Sequence, residues 1–128
     1  MQRSFLRFAL LADALVSGAT GLLAFAGASI LDGLLGLPTE LLRYAGLSLI
    51  PYAGIVAYVG TRPRVSHAAV WAIVAFNALW SIDSIALLVS GYVAPAALGY
   101  AFVIFQAAVV AGFAGLQYVG LRKEAVTA

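Results

Sequence analysis

The chain has 128 residues, of which 64% are hydrophobic and only 9% are charged. Its mean hydropathy is +1.05, whereas a soluble domain carries charge on roughly a quarter of its residues. This composition excludes an ordinary soluble domain, and a net charge of +2 with scattered basic residues gives no sign of nucleic-acid binding. The absence of cysteine excludes disulfides and thiolate metal sites, and no cofactor is predicted.

The first apolar run covers about 8–30 and follows two basic residues, Arg3 and Arg7. A signal peptide has the same basic start, but its apolar core is shorter, and Asp13 would interrupt it. We therefore expect a retained first span. A turn is predicted over 31–37, which is rich in glycine and contains Asp32.

Three further apolar runs follow, with predicted spans at about 38–60, 67–90 and 95–120. Pro38 and Pro95 open the second and the last of them, because proline is tolerated in a first helical turn. Each run has the length of about 20 residues that a membrane-spanning helix needs, and none alternates as barrel strands do. The sequence predicts an all-α integral membrane protein, a four-transmembrane-helix bundle that forms a single domain over 1–128.

The basic residues predict how this bundle lies in the membrane. Only Arg43 falls on one side, and the remaining six fall on the other: Arg3, Arg7, Arg62, Arg64, Arg122 and Lys123. Because loops rich in Lys and Arg stay in the cytoplasm, we expect both termini to be cytoplasmic.

A short phrase recurs at the ends of the second and fourth spans. Tyr58-Val59-Gly60-Thr61-Arg62 resembles Tyr118-Val119-Gly120-Leu121-Arg122, and Pro38 and Pro95 open the same two spans. Successive two-span units have the same orientation in the membrane, so these phrases are compatible with two tandem two-helix repeats. Chance similarity in a chain rich in Ala, Leu, Gly and Val is the alternative.

Polar residues mark the faces that should point inward, because unpaired polar groups are costly in hydrocarbon. Each span has such a face at the helical period. The third span carries the broadest one: Asn77, Trp80, Ser81, Asp83 and Ser84. The others follow: Asp13, Ser17 and Thr20 in the first span; Glu40, Tyr44, Ser48, Pro51 and Tyr58 in the second; Gly99, Phe102, Gln106, Phe113 and Gln117 in the fourth.

Depth sorts these residues into two predicted polar layers. The layer nearer the cytoplasm contains Asp13, Tyr58, His67, Asn77 and Gln117. The outer layer contains Asp83 and Gln106, with Arg43 within reach of Asp83. At 1.5 Å per residue the two carboxylates differ in depth by about 15 Å. They therefore cannot form an acid–base couple or share a metal ion.

A carboxylate inside the membrane is a functional hypothesis with a structural alternative. The candidates for a ligand or proton site are these: Asp13, Tyr58, Asn77, Trp80, Asp83 and Gln106. The structural alternative for Asp83 is an ion pair with Arg43. For Asp13 it is a hydrogen-bonded carboxylate beside Asn77, Tyr58 or His67.

No nucleotide-binding, nucleophile-elbow or metalloprotease motif occurs in the sequence, and no catalytic or metal-binding residue is predicted. We expect a small non-enzymatic membrane protein, either an accessory or scaffold subunit or a binder of a lipid-like small molecule. The alternative is a proton-coupled transporter or channel that works as an oligomer of fixed orientation. The length, the four spans and the acid in span 1 resemble the small multidrug resistance exporters, but their acid is a glutamate and many insert in both orientations.

Three phrases resemble a group of uncharacterised four-span proteins of the bacterial inner membrane: 41–46 (LLRYAG), 69–73 (AVWAI) and 97–103 (ALGYAFV). The resemblance implies a location in the bacterial inner membrane, with membrane lipids as partners. It implies no activity. Small residues of span 1, Ala14, Gly18 and Gly21, form a surface for another helix. That helix belongs either to a second copy or a larger complex, or to span 2 or 4 of the same chain.

Overall fold

The protein is described by a computed structural model that covers residues 2–127, with the side chains of 5–123, so the side chain of Arg3 lies outside it. It has five helices in this range: α1 (Gln2–Ala26), α2 (Ala28–Leu35), α3 (Thr39–Thr61), α4 (His67–Ser90) and α5 (Ala97–Thr127). All but α2 contain a stretch that is long and apolar enough to span a membrane. The predicted all-α four-transmembrane-helix bundle is confirmed, and the described residues include no strand.

The segment after α1 differs from the predicted turn. The first spanning helix ends at Ala26, a bend at Gly27 follows, and the chain is helical again in α2. The turn itself is confined to the end of α2, where Gly36 has a φ of 69° and its N–H donates to the Asp32 carbonyl. A side chain at Gly36 would also meet the Ala96 backbone nitrogen at 2.4 Å. Only glycine fits both conditions.

The remaining helix ends follow ordinary capping rules. Pro38 precedes α3, and Thr39 at its start donates a hydrogen bond to the carboxylate of Asp32, which ties α2 to α3. Ser66 caps α4 by accepting a hydrogen bond from the Ala69 amide at 3.2 Å. Pro51 lies on the exposed side of α3, and the helix runs through it from Thr39 to Thr61.

Two antiparallel pairs, α1 with α3 and α4 with α5, make the largest helix contacts, and α1 also packs against α5. The first pair approaches closely at glycines. A Cβ on Gly46 would lie 2.5 Å from the Gly21 carbonyl oxygen, and one on Gly18 would lie 3.4 Å from Ala53. The small-residue surface of span 1 therefore packs against α3 of the same chain. By contrast, the backbones of α3 and α4 approach each other at few points, and the two helices meet through side chains such as Tyr52 and Phe76.

The polar face predicted for the second span points away from the bundle, so that expectation is wrong. Glu40, Tyr44, Ser48, Pro51 and Tyr58 are all exposed. The inward face of α3 is instead its small and apolar side: Leu42, Gly46, Leu49, Tyr52, Ala53, Val56, Val59 and Gly60. The reason is the close approach of α3 to α1, which only a face with small residues permits.

We call the end of the bundle that carries Arg7, Arg62, Arg64, Arg122 and Lys123 the basic end, and the opposite end, with α2 and the α4–α5 loop, the α2 end. The core near the basic end is a tightly packed apolar cluster whose members include Leu6, Leu10, Val56, Val59, Val70, Ile73 and Leu121. This cluster separates the polar interior from the basic end.

The recurring phrase lies at the basic end of both α3 and α5. Gly60 of α3 packs against Leu10, and Gly120 of α5 packs against Leu6, both in the first turns of α1. In each phrase the arginine lies over the tyrosine four residues earlier, Arg62 over Tyr58 at 4.5 Å and Arg122 over Tyr118 at 5.7 Å. The helix α3 ends within its copy of the phrase, at Thr61, whereas α5 continues past its copy to Thr127. The tandem repeat therefore stays a prediction.

Candidate functional site

All four spanning helices contribute to one buried hydrogen-bond network around the carboxylate of Asp13. Oδ2 of Asp13 lies 2.7 Å from the Tyr52 hydroxyl, 3.0 Å from Asn77 Nδ2 and 2.8 Å from Gln117 Nε2. Oδ1 accepts a hydrogen bond from Ser17 at 2.8 Å. Asp13 is 1% exposed, and Asn77 and Gln117 are as deeply buried. We call these five residues the Asp13 network.

The network is closed on itself by two further contacts. Asn77 Nδ2 donates to Gln117 Oε1 at 3.1 Å, and the Tyr52 hydroxyl lies 2.8 Å from Asn77 Oδ1. Phe76 stacks on Tyr52 with ring centroids 4.4 Å apart, which holds the tyrosine against α4 at this level. Every polar side chain of the network therefore has partners, as buried polar groups require.

Sequence reasoning placed three of these residues together and missed a fourth. Asp13, Asn77 and Gln117 meet as their depth and faces indicate. Tyr58, the predicted tyrosine, is 61% exposed and stays outside. Tyr52 takes its place, because it lies beside Ala53 on the small-residue face of α3. The alignment of Gly46, Ala53 and Gly60 on one side of the helix was the sequence signal that could have identified this inward face.

His67, which was predicted in the same layer, lies exposed at the start of α4.

A second polar group joins α4 to α5 nearer the α2 end. Trp80 Nε1 donates to Gln106 Oε1 at 2.9 Å, and Gln106 Nε2 donates to the Ser84 hydroxyl at 2.9 Å. Ser81 adds a hydrogen bond to the carbonyl of Ala107 on α5 at 3.0 Å. Trp80 and Gln106, both predicted candidates, are thus direct partners.

A cavity of about 330 Å³ lies where α3 and α4 separate, beside this second polar group. One wall carries its polar side chains, Trp80, Asp83, Ser84 and Gln106. The other walls are almost entirely apolar and include Ala24, Leu37, Leu41, Leu42, Ala45, Leu49, Leu87, Phe102 and Val103. We call it the main cavity.

A smaller cavity of about 110 Å³ lies next to the main cavity, on the side of the basic end. Thr20, Leu49, Trp80 and Gln106 line both cavities, and Ser17 lines the smaller one. Since Ser17 donates to Asp13, the smaller cavity reaches the edge of the Asp13 network. We call it the connecting cavity.

Arg43 and Asp83 do not come together. Both residues are exposed, but Asp83 lines the main cavity, whereas Arg43 lies in a surface hollow with Phe25, Glu40 and Tyr44. Among the side chains of residues 5–123, none forms a hydrogen bond or an ion pair with Asp83. The predicted Arg43–Asp83 ion pair is not formed because the separation of α3 from α4 leaves the main cavity between the two helices.

The chemistry of the site is that of carboxyl, amide and hydroxyl groups. In the described part of the chain, no three His, Asp or Glu side chains come together in a manner that would hold a metal ion. The geometry offers one carboxyl group enclosed in hydrogen bonds, Asp13, and one that faces an apolar cavity, Asp83.

The chain has no match among protein-family models, curated proteins or solved structures. This agrees with a resemblance that implies no assigned activity. Any function must therefore be argued from the site itself.

Proposed function

We propose that this protein binds a small amphipathic molecule in the main cavity, with its apolar body among the leucines and its head group at Asp83. The head group is a cation or a strong hydrogen-bond donor. The observation that carries the proposal is the exposed carboxylate of Asp83, which lies at the wall of a largely apolar cavity and has no ion-pair or hydrogen-bond partner among the side chains of residues 5–123. A carboxylate at membrane depth attracts a cation or a hydrogen-bond donor.

The shape and lining of the main cavity support this proposal. Small-molecule sites usually have volumes of about 300–1,000 Å³ and apolar walls with a few polar groups that orient the ligand. Trp80 and Gln106 satisfy each other and so hold the polar wall in place. The cavity lies where the backbones of α3 and α4 are apart, which suits entry of a lipid-like molecule from the side.

The distribution of basic residues supports a location for this site. With the basic end in the cytoplasm, the main cavity lies in the outer half of the membrane. We place the protein in the bacterial inner membrane, with both termini cytoplasmic, and assign it a non-enzymatic role.

Proton-coupled transport is a second candidate, favoured by one observation. The connecting cavity shares lining residues with the main cavity and has Ser17 in its wall, and Ser17 donates a hydrogen bond to the carboxyl group of Asp13. A ligand in the main cavity and a proton at Asp13 would then be neighbours. Transport would additionally require an opening toward the basic end, where the apolar cluster now closes the bundle.

The test is ligand binding by the full chain in lipid nanodiscs. Binding of a fluorescent long-chain alkylamine is compared with that of the alcohol of the same chain length. We expect saturable binding of the amine, and Asp83→Asn should remove the preference for it over the alcohol. Glu40→Gln is the matched control, because it removes an acidic group at the same end of the bundle but outside the main cavity.

Filling the cavity is the complementary test. Ala45→Phe places an aromatic ring in the main cavity and should weaken both ligands equally. Equal partitioning of the amine into nanodiscs with wild-type, Asp83→Asn and Ala45→Phe protein would overturn the proposal. Flux of the bound amine into proteoliposomes under a pH gradient, lost in Asp13→Asn, would establish the transporter instead of a simple binder.

A further inference from the structure

A surface hollow of about 200 Å³ lies between α1 and α3 toward the α2 end, and we call it the α1–α3 hollow. We propose that it binds one phospholipid whose head group carries both a phosphate and a primary ammonium group. None of its lining residues lines the main cavity. The inference therefore goes beyond the proposed function and does not rest on it. The residues that line the hollow are Phe25 of α1 and Glu40, Arg43, Tyr44 and Leu47 of α3.

The α1–α3 hollow contains two opposite charges that are not paired with each other. Glu40 and Arg43 are both exposed, and neither forms a hydrogen bond or an ion pair among the side chains of residues 5–123. Arg43 is also the single basic residue that the sequence places toward this end of the bundle. A ligand with a phosphate beside an ammonium group would satisfy both charges at once.

The depth of these charges matches the head-group region of a bilayer. The helix α3 has 23 residues, Thr39–Thr61, and is therefore about 35 Å long at 1.5 Å per residue. The hydrocarbon core of a bilayer is only about 30 Å thick, so the first turn of α3 lies at the membrane surface. Arg43 begins about 6 Å further along the helix, and its long side chain can extend to the phosphate level.

The order of side chains along α3 follows the order of groups along such a lipid. Glu40 lies nearest the helix start, Arg43 about one turn deeper and Leu47 about one turn deeper again. At 100° per residue the three fall within an arc of about 60°, so they form one stripe. In a phosphatidylethanolamine the ammonium lies outside the phosphate, and the acyl chains begin beneath it. The stripe thus presents an anion, a cation and an apolar side chain to their matching groups.

The apolar part of the hollow is held in place by the close packing of α1 on α3. A Cβ on Gly46 would lie 2.6 Å from the backbone nitrogen of Phe25, so glycine at this position lets Phe25 lie directly beside α3. Phe25, Tyr44 and Leu47 are 43%, 66% and 51% exposed and offer apolar surface to the upper part of the acyl chains. Tyrosine is enriched at this level of membrane proteins.

The pair of charges also distinguishes between classes of phospholipid. An anionic head group without an ammonium would satisfy Arg43 and place a like charge beside Glu40. A choline head group has a quaternary ammonium without N–H groups, whereas a primary ammonium has three hydrogen-bond donors for a carboxylate. Phosphatidylethanolamine therefore fits the hollow better than phosphatidylglycerol or phosphatidylcholine.

Native mass spectrometry of the full chain tests this proposal. The protein is released from micelles that contain equal amounts of the three phospholipids with identical acyl chains, and we expect phosphatidylethanolamine to be retained preferentially. Arg43→Gln should lower retention of phosphatidylethanolamine and phosphatidylcholine alike by about two- to fivefold, as loss of one exposed ion pair would. Glu40→Gln should lower the ratio of the first to the second by a similar factor. Since both side chains are exposed and unpaired, both variants should melt with the wild type.

Exchanging the two charges tests their order. Glu40→Arg combined with Arg43→Glu keeps both charges in the hollow but reverses their depths, and it should abolish the preference for phosphatidylethanolamine over phosphatidylcholine. Asp83→Asn is the control in the main cavity and should leave this preference unchanged.

Three results would overturn the proposal. The first is equal retention of phosphatidylethanolamine and phosphatidylcholine by the wild type. The second is a preference that persists in Glu40→Gln or in the charge-exchanged variant, or that depends on Asp83 instead. The third is retention of phosphatidylglycerol in excess of phosphatidylethanolamine that is lost in Arg43→Gln, because the hollow would then take an anionic lipid.

Discussion

The Tyr52 hydroxyl on α3 lies 2.7 Å from Oδ2 of Asp13 on α1, and Asn77 on α4 reaches both partners. Through Asn77, the α4–α5 pair meets the α1–α3 pair at this point in the core. The two pairs are otherwise held together mainly by α1 against α5. The Asp13 network therefore fixes their relative position at its own depth, whereas α3 and α4 lie apart around the main cavity.

Removing the Tyr52 hydroxyl should weaken the fold, since Asn77 Oδ1 and Asp13 each lose a partner. Hydrogen bonds between membrane helices are each worth about 0.6 kcal/mol and at most about 1.7 kcal/mol. We expect Tyr52→Phe to lower the free energy of unfolding by about 1–2 kcal/mol, measured by denaturation in mixed micelles. Tyr58→Phe is the matched control on the same helix and should have no effect, because that ring is exposed.

The hydrogen-bonding capacity of residue 13 should matter more than its charge. Asp13→Leu leaves Ser17, Tyr52, Asn77 and Gln117 without their central acceptor, and each stranded group costs about 1–3 kcal/mol. This variant should fail to fold or melt far below the wild type. Asp13→Asn keeps an acceptor oxygen at the centre and should melt much closer to the wild type. Equal melting temperatures for the two variants would contradict the network as a structural centre.

Much of this architecture was accessible from the sequence. Hydropathy and span length locate four helices because the membrane imposes both, and helix caps then shift the ends by a few residues. Depth and polar faces identify Asp13, Asn77 and Gln117 as one layer. These features depend on the chain's position along the membrane normal, which hydropathy reports directly.

The arrangement of helices around one another was not accessible in the same way. The expected Arg43–Asp83 pair used depth alone, and nothing in the hydropathy indicates that consecutive helices α3 and α4 separate. The face of α3 that points inward also differs from the predicted one, because Gly46 and Gly60, and not the polar residues of this helix, lie on the inward face. Here the close packing of Gly46 against α1 determines the rotation, and Tyr58 faces outward as a result.

That close packing gives a direct test with two glycines of α3. A Cβ on Gly46 would lie 2.5 Å from the Gly21 carbonyl oxygen, whereas a Cβ on Gly54 would meet nothing within 4 Å. We expect Gly46→Ala to destabilise the protein by about 1–3 kcal/mol, as overpacking does. Gly54→Ala should be neutral or stabilise it by up to about 1 kcal/mol through helix propensity. Thermal melting of the two variants side by side checks this, and the reverse order would contradict the packing of α3 on α1.

Arg7 should stabilise the C-terminal end of α3. Its Nη1 atom donates to the Gly60 carbonyl at 2.6 Å and to the Arg62 carbonyl at 2.9 Å, and a cation at a helix C-terminus contributes up to about 1 kcal/mol. Arg7→Met should lower stability by about that amount and accelerate hydrogen exchange in the last turn of α3. Arg64→Met, an exposed arginine in the same region, is the control and should leave both quantities unchanged.

A double-mutant cycle tests the separation of α3 from α4. Because no contact joins Arg43 to Asp83, the effects of Arg43→Gln and Asp83→Asn on unfolding should add within about 0.5 kcal/mol. A coupling energy well above that value would indicate that the ion pair forms in the membrane and that the main cavity closes.

The division of the Asp13 network between two helix pairs has a consequence for biosynthesis. When α1 and α3 have entered the membrane but α4 and α5 have not, Asp13 has only Ser17 and Tyr52 as partners. Asn77 and Gln117 arrive later and complete its surroundings. The first half of the chain alone therefore offers Asp13 two hydrogen-bond donors, and the second half supplies the other two.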